Sequence, residues 1–175
     1  MIIRSTLVAR YWVACTIAIV LGSAVLAQTT NPQDAASKSV RAFYTYHLAH
    51  NKDFTVRNIQ LRKRFLTPEL YNLLLKELKR QAAASKAHPD EAPDYEGDPL
   101  TDSQEYPDSF RVSKAEMAGD VAKVTVTLQW SARTSRGVDK RDITVEATKG
   151  ATGWLINDII NSDGSRLQED LKKKK

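Results

Sequence analysis

Ala122-Lys123-Val124-Thr125-Val126-Thr127-Leu128-Gln129-Trp130 alternates without a break. Ala122, Val124, Val126, Leu128 and Trp130 fall on one side and Lys123, Thr125, Thr127 and Gln129 on the other, the period-two signature of a strand with one buried face. Downstream, Ile143, Val145 and Ala147 repeat the pattern against Thr144, Glu146 and Thr148. Lys149-Gly150-Ala151-Thr152-Gly153 then turns the chain into Trp154-Leu155-Ile156-Asn157-Asp158-Ile159-Ile160. Upstream, Phe110, Val112 and Met117 sketch a less regular first strand that turns at Gly119-Asp120. The expected arrangement is an antiparallel meander of about four strands, with one apolar face to be covered.

The cover is expected from two upstream helices. Val40, Phe43, Tyr44, His47 and Leu48 recur at helical spacing and line one face of a helix from about Asp34 to His50. A basic connector, Arg57 to Arg64, follows. A second helix starts at Pro68: Thr67 is placed to cap it, proline fits the first helical position, Glu69 meets the positive end of the dipole, and Leu66 and Tyr71 occupy staple positions. Leu70, Leu74 and Leu78 give it a buried face, and Lys79 to Lys86 end it as a polar, alanine-rich segment. Between helices and sheet, His88 to Asp108 holds eight acids, four prolines and neither lysine nor arginine. That composition predicts an irregular surface segment. Clustered carboxylates there invite calcium, but Asp94, Glu96, Gly97 and Asp98 do not follow the twelve-residue calcium loop, and no metal site is expected.

The 175 residues amount to one domain. The N-terminus reads as a secretory signal over residues 1–27: Arg4 and Arg10 give a positive start, Trp12 to Leu21 an apolar run, and Val25-Leu26-Ala27 a small-residue cleavage pattern. The alternative is an uncleaved anchor, the one route to a membrane that the sequence suggests. Cys15, the only cysteine, lies inside that segment, so a chain cleaved after Ala27 folds without disulfides, as suits a bacterial periplasmic protein. The net charge of +5 belongs to the ends: Arg4 and Arg10 lie in the signal, and Lys172 to Lys175 form a basic tail beyond a single domain spanning 28–171. Nothing in this distribution supplies the basic, aromatic-interleaved face of a nucleic-acid binder. No glycine-rich phosphate loop, nucleophile arrangement or metal cluster is present, and no cofactor is expected.

Helices followed by a long meander is the order found in the cone-shaped α+β fold of nuclear transport factor 2, scytalone dehydratase and ketosteroid isomerase. The chain also resembles a bacterial envelope family of unknown function that includes lipoproteins and immunity proteins against type VI secretion amidase effectors. The residues carrying this likeness are Val40-Arg41-Ala42-Phe43-Tyr44, Phe65-Leu66-Thr67-Pro68-Glu69-Leu70, Asp98-Pro99-Leu100 with Ser103-Gln104-Glu105, and Gly153-Trp154-Leu155-Ile156-Asn157-Asp158-Ile159. They span about Val40 to Leu171. The lysine tail lies outside the family pattern, as does a mature chain without cysteine. The resemblance implies N-terminal helices packed on a curved antiparallel sheet, and an exported, non-enzymatic module of inhibitor or immunity type.

Two sets of candidate residues follow. In strict alternation Trp154, Ile156, Asp158 and Ile160 share a face, which would aim a carboxylate into an apolar cavity where its charged form is disfavoured. Asp158 would then act in proton transfer with Tyr44 and His47 as donors, as in the isomerase and dehydratase branch. In the other register Leu155 and Ile159 face the core and Asp158 is exposed. The second set is the acidic segment, with Asp94, Glu96, Asp98, Gln104 and Glu105 as a contact surface for a basic protein partner. Within it Asp98 could instead fix the loop by accepting backbone hydrogen bonds beside Pro99, with Gln104 bridging to a helix end and Leu100 and Tyr106 acting as plugs. The expected function is partner binding in the envelope; the alternative is a small-molecule enzyme or carrier with a cavity under the sheet. A retained N-terminus would make a third case, an anchored scaffold subunit.

Overall fold

The computed structural model describes residues 31–90, 97–131 and 138–173. The signal segment with Cys15, and Lys174 and Lys175 of the basic run, lie outside the described residues. The fold is α+β, with N-terminal helices packed on an open antiparallel sheet. Helix α1 (Pro32–Ala49) begins where the Asn31 side chain accepts from the Gln33 amide at 3.0 Å, with proline in the first turn and Asp34 against the dipole. It buries Ala36, Val40, Phe43, Tyr44 and His47. The segment read as a connector is helix α2 (Val56–Arg62), capped by Thr55 onto the Asn58 amide at 3.3 Å and continued by a 3-10 turn over Lys63–Phe65. Helix α3 (Pro68–Ala87) starts as the sequence predicts, with Thr67 Oγ1 accepting from the Leu70 amide at 3.3 Å.

The sheet comprises β1 (Ser109–Val112), β2 (Glu116–Ala118), β3 (Val121–Trp130), β4 (Asp139–Gly150) and β5 (Gly153–Ile160). Its order is β1-β3-β4-β5, and β2 also pairs with β3. The expected first strand is therefore two short strands laid end to end along one edge of β3, so five strands occupy four positions. Val124, Val145 and Ile159 pair in register and are fully buried on the inner face; Lys123, Glu146 and Asp158 form the matching row on the outer face. A short helix, α4 (Leu167–Lys173), closes the domain and buries Leu167 and Leu171. Lys172 and Lys173, assigned from sequence to a tail, form its last turn, and Lys172 reaches Glu69 of α3 at 2.8 Å.

The edge strand β5 is covered on its free side. The Thr67 amide donates to the Ile156 carbonyl at 2.8 Å, and Leu66 and Arg166 form bridges to Ile156 and Ile160. Covering these backbone groups removes an open edge that another chain could extend. Among the described residues no helix is long and apolar enough to cross a membrane.

Candidate functional site

The expected polar pair at the end of α1 lies in a buried network that spans three segments. His47 Nε2 lies 2.6 Å from Asp98 Oδ2, and Arg62 Nε donates to His47 Nδ1 at 2.7 Å. Since Nδ1 accepts, the ring proton sits on Nε2 and points at the carboxylate. His47, Arg62 and Asp98 are each at most 2% exposed, so one buried cation and one buried anion are joined through a neutral imidazole. Arg62 also donates to the carbonyls of Asn58 and Asn51, both at 2.8 Å. Burial pushes its guanidinium below the ordinary range, and Asp98 opposes that shift. Phe43 stacks on the His47 ring at 5.3 Å between centroids.

Asp98 is the hub of the loop. Its Oδ1 accepts from the Leu100 amide at 3.0 Å and its Oδ2 from Thr101 Oγ1 at 2.8 Å, an arrangement that satisfies a carboxylate from both sides. Gly97 has φ +101°, and a Cβ there would collide with the Ser103 carbonyl oxygen, so only glycine fits this turn. Leu100 is buried; its carbonyl accepts from the Tyr44 hydroxyl at 2.9 Å. Further along, Asp102 accepts from the Ser162 amide and hydroxyl at 3.2 and 3.0 Å, and its carbonyl accepts from Arg141. Trp130 Nε1 donates to the Glu105 carbonyl at 2.8 Å, and the Tyr106 hydroxyl donates to Asp53 at 3.1 Å. The segment is thereby tied to α1, to β3, to β4 and to the chain beyond β5.

The candidate contact residues separate accordingly. Asp98 lies in the interior and holds the loop, whereas Gln104 and Glu105 are exposed. Gln104 makes no hydrogen bond to a helix end among the described residues, and Asp94 and Glu96 lie outside them. The described acids that face solvent in this segment are Asp90, Glu105 and Asp108.

Tyr44 is fully enclosed. Burial first, and the Asp98 carboxylate second, raise its phenol well above the ordinary value of 10.0. Partial burial, followed by the bond to Asp53, pushes Tyr106 up to about 12. An unfolded phenol loses its proton near pH 10 while the native one keeps it, so stability contributed by Tyr44 falls as pH rises from there toward its folded value, at up to about 1.4 kcal/mol per pH unit. In a spectrophotometric titration Tyr44 and Tyr106 are expected to ionise last, and Tyr44→Phe to flatten the loss of stability above pH 10. Simultaneous ionisation of all tyrosines with native circular dichroism intact would contradict this.

Asp158 does not join Tyr44 and His47. β5 carries a bulge: Glu146 pairs with Asp158, but Ala147 pairs with Ile156, which leaves Asn157 as the extra residue. The bulge reverses the alternation, so Ile156 and Ile159 both face the core and Asp158 lies on the outer face. There it is 3% exposed, under the start of α4. Its Oδ1 accepts from the Ile159 and Gln168 amides, both at 2.9 Å; Arg166 reaches Oδ2 through Nε and Nη2, both at 3.0 Å. Arg166 also pairs with Glu146, chiefly through the hydrogen bond that raises its guanidinium above the ordinary range. Neither sequence register anticipates this carboxylate, buried yet facing outward and satisfied by a cation and two amides.

Tyr44 and His47 are instead packed among aromatic rings, apart from Asp158 on the outer face of the sheet. Phe43 meets Tyr44 at 4.9 Å and Phe65 at 5.7 Å, and Tyr44 meets Phe110 at 5.8 Å. Phe43, Tyr44 and Leu100 belong to the buried core, and Phe65, Phe110, Trp130 and Trp154 pack against it. Among the described residues no group of three or more metal-ligating side chains is assembled.

No family model matches the chain, and no curated protein matches it. Solved structures do resemble it in shape. A chain of the type VI effector-immunity complex Tae3-Tai3 from Ralstonia pickettii aligns with TM-score 0.45 and 21% identity over 75% of this chain and 97% of that one. A protein of unknown function from Bacteroides thetaiotaomicron aligns at 0.41 and 19% over 73% and 89%. A phospholipid-binding protein from Ralstonia solanacearum aligns at 0.37 and 14% over 82% and 84%.

Proposed function

We propose that this chain is an exported, non-enzymatic binding module of the bacterial envelope, nuclear-transport-factor-2-like in superfamily and of inhibitor or immunity type. It is released after cleavage near Ala27 and contacts a protein partner through the acidic segment His88 to Asp108. The observation that carries this reading is the anchoring of residues 97–108 of that segment. Asp98, Leu100 and Asp102 bind it to the body through side chains and carbonyls, while Asp90, Glu105 and Asp108 remain at the surface. A surface held in place before binding loses little conformational entropy on association, and a single sign of charge speeds encounter with a basic partner.

The groups that could do chemistry support the same reading. Tyr44 and His47 are bonded to the loop, and Asp158 is bonded to Arg166 and α4. A small-molecule enzyme or carrier would have to work with donors already committed to structure. The test is capture from an envelope extract by the chain beginning at Gln28, beside a variant carrying Asp90→Lys and Glu105→Lys. A partner retained at low salt, released by salt and lost at least about tenfold with the charge reversal is the expected result. Retention of no envelope protein, or retention indifferent to the reversal, rejects the reading.

A further inference from the structure

We infer that the face formed by α2 and the following 3-10 turn docks on an anionic lipid bilayer. This is a second surface, chemically opposite to the acidic segment. Arg57, Gln60, Leu61 and Arg64 are spaced three and four residues apart and are all exposed, whereas Asn58, Ile59 and Arg62 on the opposite side of α2 are buried. Lys63 is exposed beside them, and Leu61 and Val56 are 50% and 49% exposed. No acidic residue occurs from Phe54 to Pro68. Arg57, Lys63 and Arg64 have no carboxylate partner within ion-pair distance among the described residues. The stretch read from sequence as a basic connector is this face.

The cations rest on rings. The Arg64 guanidinium lies 4.9 Å from the Tyr46 centroid and 4.7 Å from that of Phe65, and Lys63 Nζ lies 5.3 Å from the Tyr71 centroid. Stacking limits how far these long side chains wander while their charged ends stay open to an anion. Cations beside projecting aliphatic tips and half-buried aromatic rings is the chemistry of an interfacial helix, in which basic groups meet headgroups and Leu and Val enter the acyl boundary. An acidic protein would satisfy the charges and leave Leu61 and Val56 without a use, and lysine is depleted from protein interface cores. The bilayer accounts for both.

The test uses the chain from Gln28, which contains every helix and strand described above and lacks the apolar N-terminal segment. It is co-sedimented with phosphatidylcholine vesicles with and without about a third phosphatidylglycerol. Binding is expected only to the anionic vesicles and is expected to fall with salt. At about fivefold per cation, Arg57→Gln/Lys63→Gln/Arg64→Gln weakens partitioning on the order of 100-fold. Leu61→Ser alone weakens it by about tenfold while leaving the charge unchanged. A tail variant with Lys174 and Lys175 changed to glutamine retains binding. Equal binding to neutral vesicles, loss in the tail variant but not the triple variant, or displacement from vesicles by polyglutamate with Leu61→Ser unaffected would each overturn the inference. The glutamine and serine changes lie on exposed positions, and an unchanged thermal midpoint confirms that the variants are folded.

Discussion

Asp98→Ala is expected to destabilise the domain by about 3–5 kcal/mol, the cost of leaving a buried charge without its partner. Arg62 is 1% exposed, and its other donors end on His47 and on backbone carbonyls. Asp98 is the carboxylate that balances it, through the imidazole of His47. The same substitution strips the side-chain acceptor from the Leu100 amide, worth about 1 kcal/mol or more when stranded in the interior, while the Thr101 hydroxyl keeps Ser103 Oγ at 2.9 Å. For a domain of this size the thermal midpoint should fall by roughly 10 °C. Denaturant unfolding measures the loss directly. Combining Asp98→Ala with Arg62→Met should cost clearly less than the two separate losses added, because the second change removes the stranded charge. Additive losses would mean that the two charges are not coupled. If Asp98→Ala alone costs under about 1 kcal/mol, the network does not hold the loop.

Arg166→Met produces the second large effect. Asp158 and Glu146 are directly opposed across β4 and β5, 3% and 8% exposed, and Arg166 bridges them. Without the guanidinium, Lys123 at 3.6 Å from Glu146 compensates only from the solvent side. Two facing carboxylates are then left buried without the cation between them. A loss of about 2–4 kcal/mol is expected from urea titrations at about pH 7.5. A loss below about 1 kcal/mol would show that Asp158 is held by the Ile159 and Gln168 amides alone.

Both networks explain why parts of the fold were hidden in the sequence. Strand β3 and the start of α3 were legible because their signals are local: strict alternation in one case, and Thr67, Pro68 and Glu69 in succession in the other. Helix α2 was missed because two of the three residues it buries, Asn58 and Arg62, are polar, so a search for apolar periodicity finds no stripe. Thr55 was its one local signal, as the cap. Helix α4 spans only seven residues with Leu167 and Leu171 as its apolar contacts, too short for a period to stand out. The bulge in β5 was hidden because the segment is amphipathic in either register. The choice was made by the cover that Leu66, Thr67 and α4 place along that strand.

Candidate residues divide the same way. Tyr44 and His47 were recognised as polar groups on a buried face, but their partners lie 56 and 51 residues away at Leu100 and Asp98. Asp98 was noted both as a contact and as a loop anchor, and its burial shows the anchor. The role expected of Asp158 depended on a face, and the bulge turned that face over.

The sequence by itself determined the α+β class, the meander, the two long helices and the acid-rich segment ahead of the sheet, because each is written in spacing or composition within a few residues. Tertiary structure decided what the ionisable groups do. A carboxylate is a contact, an acid or a structural brace according to which donors surround it, and those donors arrive from segments tens of residues distant. That is why Asp98 and Asp158 became braces, and why the cations of α2 and the 3-10 turn became a surface.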